Sequence, residues 1–261
     1  MGQTITPNVE RITARLKKAA GSIAGGLGDL LFPPRCYGCG KDGAAPLCAI
    51  CLEKMPRLGK PGCPICGRPE TVSGTEAILT RCGTCRTRRV WFDLARSVAP
   101  YAGAAGNWIR MLKYGRKRRL GSALGQILAE SLRSDPELAP LAEVDYAVPV
   151  PLHWLRAWWR GFNQSELLAQ SICREWGVES GNGILRRIRN DRKQVGLSGR
   201  RRWENVKGAF VVARPEEVKG KRILLVDDVM TTGATLSECA RVLKKAGAKT
   251  VCGLTLTRQL G

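Results

Sequence analysis

Histidine is almost absent from this sequence, which contains only His153, and 22 acidic residues stand against 43 basic ones. No run of about 18 apolar residues occurs, so insertion into a membrane is not expected. Residues 1–30 lack the compact apolar segment and small-residue cleavage site of a secretory signal, and we expect them to form a basic helical leader. These absences predict a cytoplasmic protein.

The excess of basic residues gives the chain of 261 residues a formal net charge of +21. Such a charge favours a polyanionic partner or an anionic substrate, although it could also serve solubility alone. Hydrophobic residues make up 44% of the chain, which is enough for a buried core in one large domain or two smaller ones.

Cysteines are concentrated near the N-terminus, where eight of the eleven form four CxxC pairs. Two thiolates separated by two residues can bind one ion across a tight turn, and two such turns complete a tetrahedral zinc site. Four thiolates leave no open coordination position, so we expect two structural zinc ions rather than a catalytic one. The predicted ligands are Cys36, Cys39, Cys48, Cys51, Cys63, Cys66, Cys82 and Cys85.

Three questions about these cysteines bear on the fold. Disulfides would need an oxidising compartment, which the predicted location does not provide. Consecutive pairing and an interleaved cross-brace both use all eight ligands, and we favour consecutive pairing because the short spacers make compact ribbons. The region has few large apolar residues, so bound metal would stabilise its fold in place of a hydrophobic core. We therefore predict a double zinc ribbon over residues 31–89.

From residue 90 to residue 261 the pattern changes to alternating strands and helices. This order predicts an α/β domain, a mostly parallel sheet with helices on both faces and with sites at the carboxyl ends of its strands. The segment RILLVDD (222–228) is predicted to be a central buried strand.

Two adjacent acids, Asp227 and Asp228, end that strand and precede a loop of threonines, a glycine and an alanine. Thr235 and Glu238 have the spacing of a capping box, so a helix is expected to begin there. The unpaired N–H groups of a helix N-terminus bind phosphate, and Gly233 would let the backbone approach closely. The lysine of a nucleoside-triphosphate P-loop is missing, and paired acids suit the hydroxyls of a ribose 5-phosphate instead.

The stretch LLVDDVMTTGAT (224–235) resembles the phosphoribosyl-pyrophosphate (PRPP) signature of type I phosphoribosyltransferases. From Leu31 to Arg258 the chain further resembles the ComF family of bacterial competence proteins. The segments that carry this resemblance are LFPPRCYGCG, LKYGRKRRLG, VPVPLHWLRAWWRGFNQSELLA and QVGLSGRRRWENVKGAF. The resemblance implies a type I phosphoribosyltransferase-like domain behind the double zinc ribbon.

The resemblance also implies roles for individual residues. Asp227 and Asp228 would be the catalytic acids that hold the ribose hydroxyls of PRPP, with magnesium bridging ribose and pyrophosphate. Val150 and Pro151 would face the pyrophosphate. A mobile loop within residues 187–206 would supply a cation from among Arg187, Arg192, Lys193 and Arg202. The 5-phosphate would be held by Thr231, Thr232, Gly233, Ala234 and Thr235.

Aromatic residues interleaved with cations form a second pattern, typical of proteins that stack the bases of single-stranded DNA. An equally weighted alternative places the tryptophans in the core, because tryptophan is highly buried on average. The candidates for this nucleic-acid surface are Arg156, Trp158, Trp159, Arg160, Arg201 and Trp203.

Three functions remain open from the sequence. The ComF resemblance implies a PRPP-binding protein that assists the handling of incoming single-stranded DNA in natural transformation, with helicase-like and recombination-mediator proteins as partners. The alternative is an active phosphoribosyltransferase of nucleotide or cofactor salvage, for which no acceptor or general base is evident. A zinc-ribbon scaffold would need only a protein partner.

Overall fold

The computed structural model describes residues 35–43, 46–59, 62–69, 80–115, 117–189 and 199–260. The predicted leader, residues 1–30, lies outside the described residues. The chain divides into two compact units, Met1–Glu53 and Lys54–Gly261. The first four cysteines therefore belong to one unit, and the second four share a unit with the sheet.

The first unit is organised around the turn that carries Cys36 and Cys39. A bridge joins Arg35 to Asp42, and the amide of Cys36 donates to the carbonyl of Lys41 at 2.9 Å. Gly40 follows the second cysteine with a φ of 76°, in the left-handed region that glycine tolerates. A short helix, α1 (Ala49–Glu53), follows.

The second unit contains seven strands and seven of the eight α-helices within the described residues. Its helices are α2 (Gly83–Thr87), α3 (Ala104–Tyr114), α4 (Arg119–Ser134), α5 (Trp154–Arg160), α6 (Gln164–Trp176), α7 (Gly199–Val206) and α8 (Ala234–Lys245). Its strands are β1 (Leu94–Pro100), β2 (Tyr146–Pro149), β3 (Glu179–Ser180), β4 (Leu185–Arg187), β5 (Phe210–Val212), β6 (Arg222–Met230) and β7 (Thr250–Arg258). Two 3-10 turns span Ala139–Leu141 and Pro215–Glu217.

Five strands form a parallel sheet in the order β1-β7-β6-β2-β3, which confirms the predicted fold. The central strands are continuous apolar runs because helices cover both faces of such a sheet. Ile223 and Leu225 of β6 join one core cluster with Leu236 and Leu243 of α8. Strand β5 pairs with β4 in a separate antiparallel ribbon.

The position of the site follows from this order. Strand β6 lies between β7 and β2, and Pro149 of β2 pairs with Val226 of β6. Strand β2 ends at this pair, whereas β6 continues beside β7 to Met230. Val150 and Asp227 therefore follow the pair side by side, near the carboxyl edge of the sheet. Among the described residues, no helix has the length and apolar composition needed to cross a bilayer.

Candidate functional site

A cavity of about 440 Å³ opens at the carboxyl ends of β2 and β6. Asp227 and Asp228 lie on its wall, and Val150 and Pro151 line it from the neighbouring strand. The predicted acids and the predicted turn, more than 70 residues apart in sequence, are thus brought together. The cavity lies where open α/β sheets bind their ligands.

The two acids have different surroundings. Asp228 is buried, and its Oδ2 lies 2.7 Å from Nζ of Lys113, at the end of α3. Asp227 is half-buried, and its Oδ1 accepts from the hydroxyl of Ser165 at 2.9 Å and from the amide of Asp228 at 2.8 Å. Lys113 therefore holds one carboxylate while the other is held by neutral donors.

These surroundings shift the protonation equilibria. Burial, followed by the charge of Asp228, raises the pKa of Asp227 to about 7. Burial lowers the pKa of Lys113, but the carboxylates of Asp228 and Asp227 outweigh it, and the net shift is upward. Lys113 thus remains charged at neutral pH, where Asp227 releases its proton.

The loop after β6 contributes Thr231 and Thr235 to the cavity. Gly233 has a φ of 78°, and a Cβ there would lie 2.8 Å from Cε of Met230, so both conformation and space favour glycine. Helix α8 begins at Ala234 directly after this glycine. The amide of Ala234 donates to the hydroxyl of Thr232 at 3.4 Å.

The predicted capping box at this helix is wrong. Glu238 does not return to the helix start, because its Oε1 accepts from the amide of Gly208 at 2.7 Å and both its oxygens bind Arg241. Thr235 instead lines the cavity. The amides of the first helical turn are therefore not capped by Glu238.

The turn after β2 is held by two helix caps. Asn163 accepts from the amide of Ser165 at 3.2 Å, which caps α6, and donates to the carbonyl of Val150 at 3.1 Å. His153 accepts from the amide of Leu155 at 3.4 Å and caps α5. Burial and the nearby charge of Arg187 lower the pKa of His153. The single histidine thus has a structural role as a cap.

Three arginines line the same cavity, Arg156 from α5, Arg187 from β4 and Arg202 from α7. Burial, followed by the charge of Arg156, lowers the pKa of Arg187. Mutually repelling cations on a cavity wall favour an anionic ligand. Of the cations predicted for the mobile loop, Arg187 and Arg202 reach the cavity, whereas Arg192 and Lys193 lie outside the described residues.

The six candidates for the nucleic-acid surface are divided among several places. Trp158 and Trp159 are 81% and 54% exposed on α5, whereas Arg160 on the same helix is buried and donates to Gln164. Arg156 belongs to the cavity already described. On α7, Arg201 is exposed, and Trp203 is half-buried and packs against the core.

The cysteines form two clusters of four, and in each cluster the ligand atoms lie within 4.8 Å of one another. This grouping confirms the predicted consecutive pairing. The four sulfurs of each cluster fit a tetrahedral structural zinc ion. The clusters are Cys36, Cys39, Cys48 and Cys51 in the first unit, and Cys63, Cys66, Cys82 and Cys85 in the second.

The second cluster is built into the core of its unit. Arg258, at the end of β7, is 3% exposed, and it donates to the carbonyl of Cys66 at 2.5 Å and to its sulfur at 3.3 Å. Arg96 of β1 donates to the carbonyl of Pro64 at 3.2 Å. Buried guanidinium groups compensate the negative charge of a four-thiolate zinc site.

Some residues of the site were not predicted. Lys113 lies within LKYGRKRRLG, one of the segments that carried the family resemblance, but the charge run gave no sign that one lysine turns inward. At the start of α6, Ser165 donates to Asp227 and Gln164 accepts from Arg160. Tyr101 closes another side of the cavity.

Comparison with known proteins gives two domain matches. Residues 27–86 match the double zinc ribbon domain, and residues 123–259 match the phosphoribosyl transferase domain. These ranges contain both cysteine clusters and the cavity acids.

Several relatives match across most of the chain. It is 35% identical to DNA utilization protein YhgH of Escherichia coli, over 82% of this chain and 91% of that protein. It is 30% identical to Competence protein F of Haemophilus influenzae, over 78% of this chain and 87% of that protein. It is 27% identical to Competence protein ComFC of Bacillus subtilis, over 81% of this chain and 84% of that protein.

A solved structure described as the allosteric regulatory enzyme of purine biosynthesis aligns with this chain over 52% of this chain and 26% of the enzyme's chain. The TM-score is 0.37 and the identity 21%. The chain thus spans about a quarter of that enzyme.

Proposed function

Because the chain belongs to the ComF family of double zinc ribbon and phosphoribosyltransferase-domain proteins, we propose that it binds PRPP with magnesium in the cavity at the ends of β2 and β6. The observation that carries this proposal is the meeting of two acids, a phosphate-type loop and several cations in that cavity. We propose further that the protein assists the handling of incoming single-stranded DNA in natural transformation. The names of its relatives, which refer to competence and DNA utilization, support this role.

The parts of PRPP correspond to different walls of the cavity. Asp227 and Asp228 would accept hydrogen bonds from the ribose hydroxyls, since charged acceptors make the stronger bonds. Thr231, Thr235 and the amides at the α8 N-terminus would hold the 5-phosphate. Magnesium, a hard cation, suits the oxygen ligands available there.

The pyrophosphate would lie on the side of Val150, where the arginines of α5, β4 and α7 supply positive charge. Positive charge there would stabilise the negative charge that develops on pyrophosphate as it departs. This arrangement favours the second candidate function, an active phosphoribosyltransferase. The described cavity wall shows no dedicated base-recognition segment.

The single-stranded DNA would contact the exposed face of α5. Trp154, Trp158 and Trp159 are 67%, 81% and 54% exposed. Indole faces that are open to solvent stack bases without regard to sequence, and the net charge of +21 attracts the phosphates. Helix α5 also supplies Arg156 to the cavity, so this short helix would contribute to both PRPP binding and DNA binding.

Calorimetric titration of PRPP with magnesium tests the first part. The variant Asp227→Asn/Asp228→Asn should lose most of the PRPP affinity because amides are weaker acceptors and poorer magnesium ligands. Glu216→Gln removes an exposed acid outside the cavity and is the matched control. Unchanged PRPP binding in the double variant would contradict the assignment. Pyrophosphate release upon screening of nucleobases and ribose-phosphate acceptors would favour the second candidate function.

A further inference from the structure

A second cavity, of about 270 Å³, lies on the other side of α8. Ala234, Ser237, Glu238 and Arg241 line it, and their spacing of three, four and seven residues places them on one helix face. Thr235 lies in the first cavity instead. The N-terminal turn of α8 thus separates two cavities.

Helix α7 separates the same two spaces. Arg202 lines the first cavity, and its neighbour Trp203 lines the second. Trp91, which precedes β1, forms the other aromatic wall of the second cavity. The amide of Trp91 donates to the hydroxyl of Ser237 at 3.1 Å, so this wall is fixed to α8.

Each indole has a guanidinium group over its ring. Cζ of Arg89 lies 4.1 Å from the ring centroid of Trp91, and Cζ of Arg88 lies 5.6 Å from that of Trp203. Lys207, which is exposed, is a third cation at the cavity. Stacked arginines and indoles are the groups that hold an aromatic ring beside a negative charge.

The acids at this cavity are already engaged. Glu238 binds Arg241 and the amide of Gly208, and Glu204 forms an ion pair with Arg200 at 3.3 Å. Within the described part of the chain, no carboxylate forms an ion pair with the remaining cations of the wall. These are Arg88, Arg89 and Lys207. The described wall of the cavity therefore combines aromatic side chains with more cations than acids.

We propose that this second cavity binds a nucleotide. The nucleobase would stack on Trp91 or Trp203 in place of the guanidinium group over that ring, and its phosphate would pair with the displaced arginine or with Lys207. The ligand is either a free nucleotide or one nucleotide of a single strand, because both present the same base and phosphate. The site is separate from the PRPP cavity and does not depend on PRPP binding.

Photocrosslinking with 5-iodouracil locates such a site, since this base reacts with the aromatic side chain on which it stacks. Two probes distinguish the sources, 5-iodo-deoxyuridine monophosphate and an oligothymidylate with one 5-iodouracil. We expect peptide mapping by mass spectrometry to find the crosslink at Trp91 or Trp203. Crosslinks confined to the tryptophans of α5 or to the loop after β6 would overturn the proposal.

Affinity measurements give an independent test. Leucine at the crosslinked tryptophan (Trp91→Leu or Trp203→Leu) and, separately, Arg88→Gln/Arg89→Gln should each weaken binding of the crosslinking probe about fivefold or more. Arg174→Gln/Lys245→Gln, at two exposed cations that line neither cavity, removes the same two charges as the double arginine variant and is its matched control. Thermal melts check the fold, and the double arginine variant keeps the test valid if the tryptophan variant unfolds.

Two further outcomes distinguish a nucleotide site here from the PRPP cavity and from a site for an acidic peptide. Asp227→Asn/Asp228→Asn, which tests the PRPP cavity, should retain the crosslink at the second cavity. Failure of PRPP binding and failure of nucleotide binding would thus be seen separately. A polyglutamate peptide that displaces the probe more strongly than unlabelled thymidine nucleotide would show an acidic protein ligand and overturn the proposal.

Discussion

Replacing Cys66 by serine should destabilise the unit Lys54–Gly261, whereas the same change at Cys39 should not. Cys66 is a predicted zinc ligand whose carbonyl and sulfur both accept from the buried guanidinium of Arg258. The substitution removes a thiolate and weakens metal binding, which leaves that guanidinium without its anionic partner. Cys39 belongs to the other compact unit and is exposed.

The expected magnitude follows from the burial of Arg258. Removing one partner of a buried ion pair costs about 3–5 kcal/mol, because the remaining charge stays away from water. A typical domain has a total stability of only about 5–15 kcal/mol. For a unit of this size we expect Tm to fall by roughly 10 °C.

Tryptophan fluorescence in urea measures this effect in one unit alone. All seven tryptophans of the chain lie C-terminal to residue 53, so the signal reports unfolding of the sheet unit. The urea midpoint should fall in Cys66→Ser and stay at the wild-type value in Cys39→Ser. An equal loss in both variants, or none in Cys66→Ser, would refute the reasoning.

Three other predictions concern the cavity and α5. The pKa of Asp227 is raised to about 7, so between the usual carboxyl pKa and pH 7 the folded protein binds one more proton than the unfolded chain. The contribution of Asp227 to the free energy of unfolding therefore falls as pH rises through that window. Thermal melts of Asp227→Asn at several pH values should lack this decrease. Lys113→Met leaves the carboxylate of Asp228 buried and unpaired, which should cost about 3–5 kcal/mol in urea unfolding, and adding Asp228→Asn should recover most of the loss. Trp158→Ala should preserve the Tm, since the side chain is 81% exposed, and lower affinity for a labelled single strand by on the order of 1–3 kcal/mol in fluorescence anisotropy at two salt concentrations. Equal affinity of wild type and Trp158→Ala would exclude stacking on this indole.

The features that the sequence predicted correctly are those set by local spacing. The CxxC pairs need only a tight turn, so their spacing identified the ligands, and short spacers favoured consecutive pairing. The central strand was recognisable because apolar residues run continuously into Asp227. Parallel order then followed from the alternation of strands and helices.

The features that it missed depend on contacts between distant segments. Lys113 belongs to a run of cations, and its burial against Asp228 is decided by how α3 packs beside β6. Glu238 has capping-box spacing, but a tertiary contact with the amide of Gly208 competes for it. Trp158 and Trp203 share a pattern of neighbouring arginines, yet one is exposed and the other packs against the core.

The charges of the first cavity explain why a strongly basic protein keeps two acids at its centre. Lys113 already neutralises Asp228, and a pKa of about 7 leaves Asp227 partly protonated near neutral pH. The three arginines of the wall therefore leave the cavity positive until an anion enters. An anion that brings a divalent cation would restore the charge of Asp227, because a nearby cation lowers a carboxyl pKa. The metal would then bind the ionised acid while the arginines bind the anion, so the anion and the cation each strengthen the binding of the other.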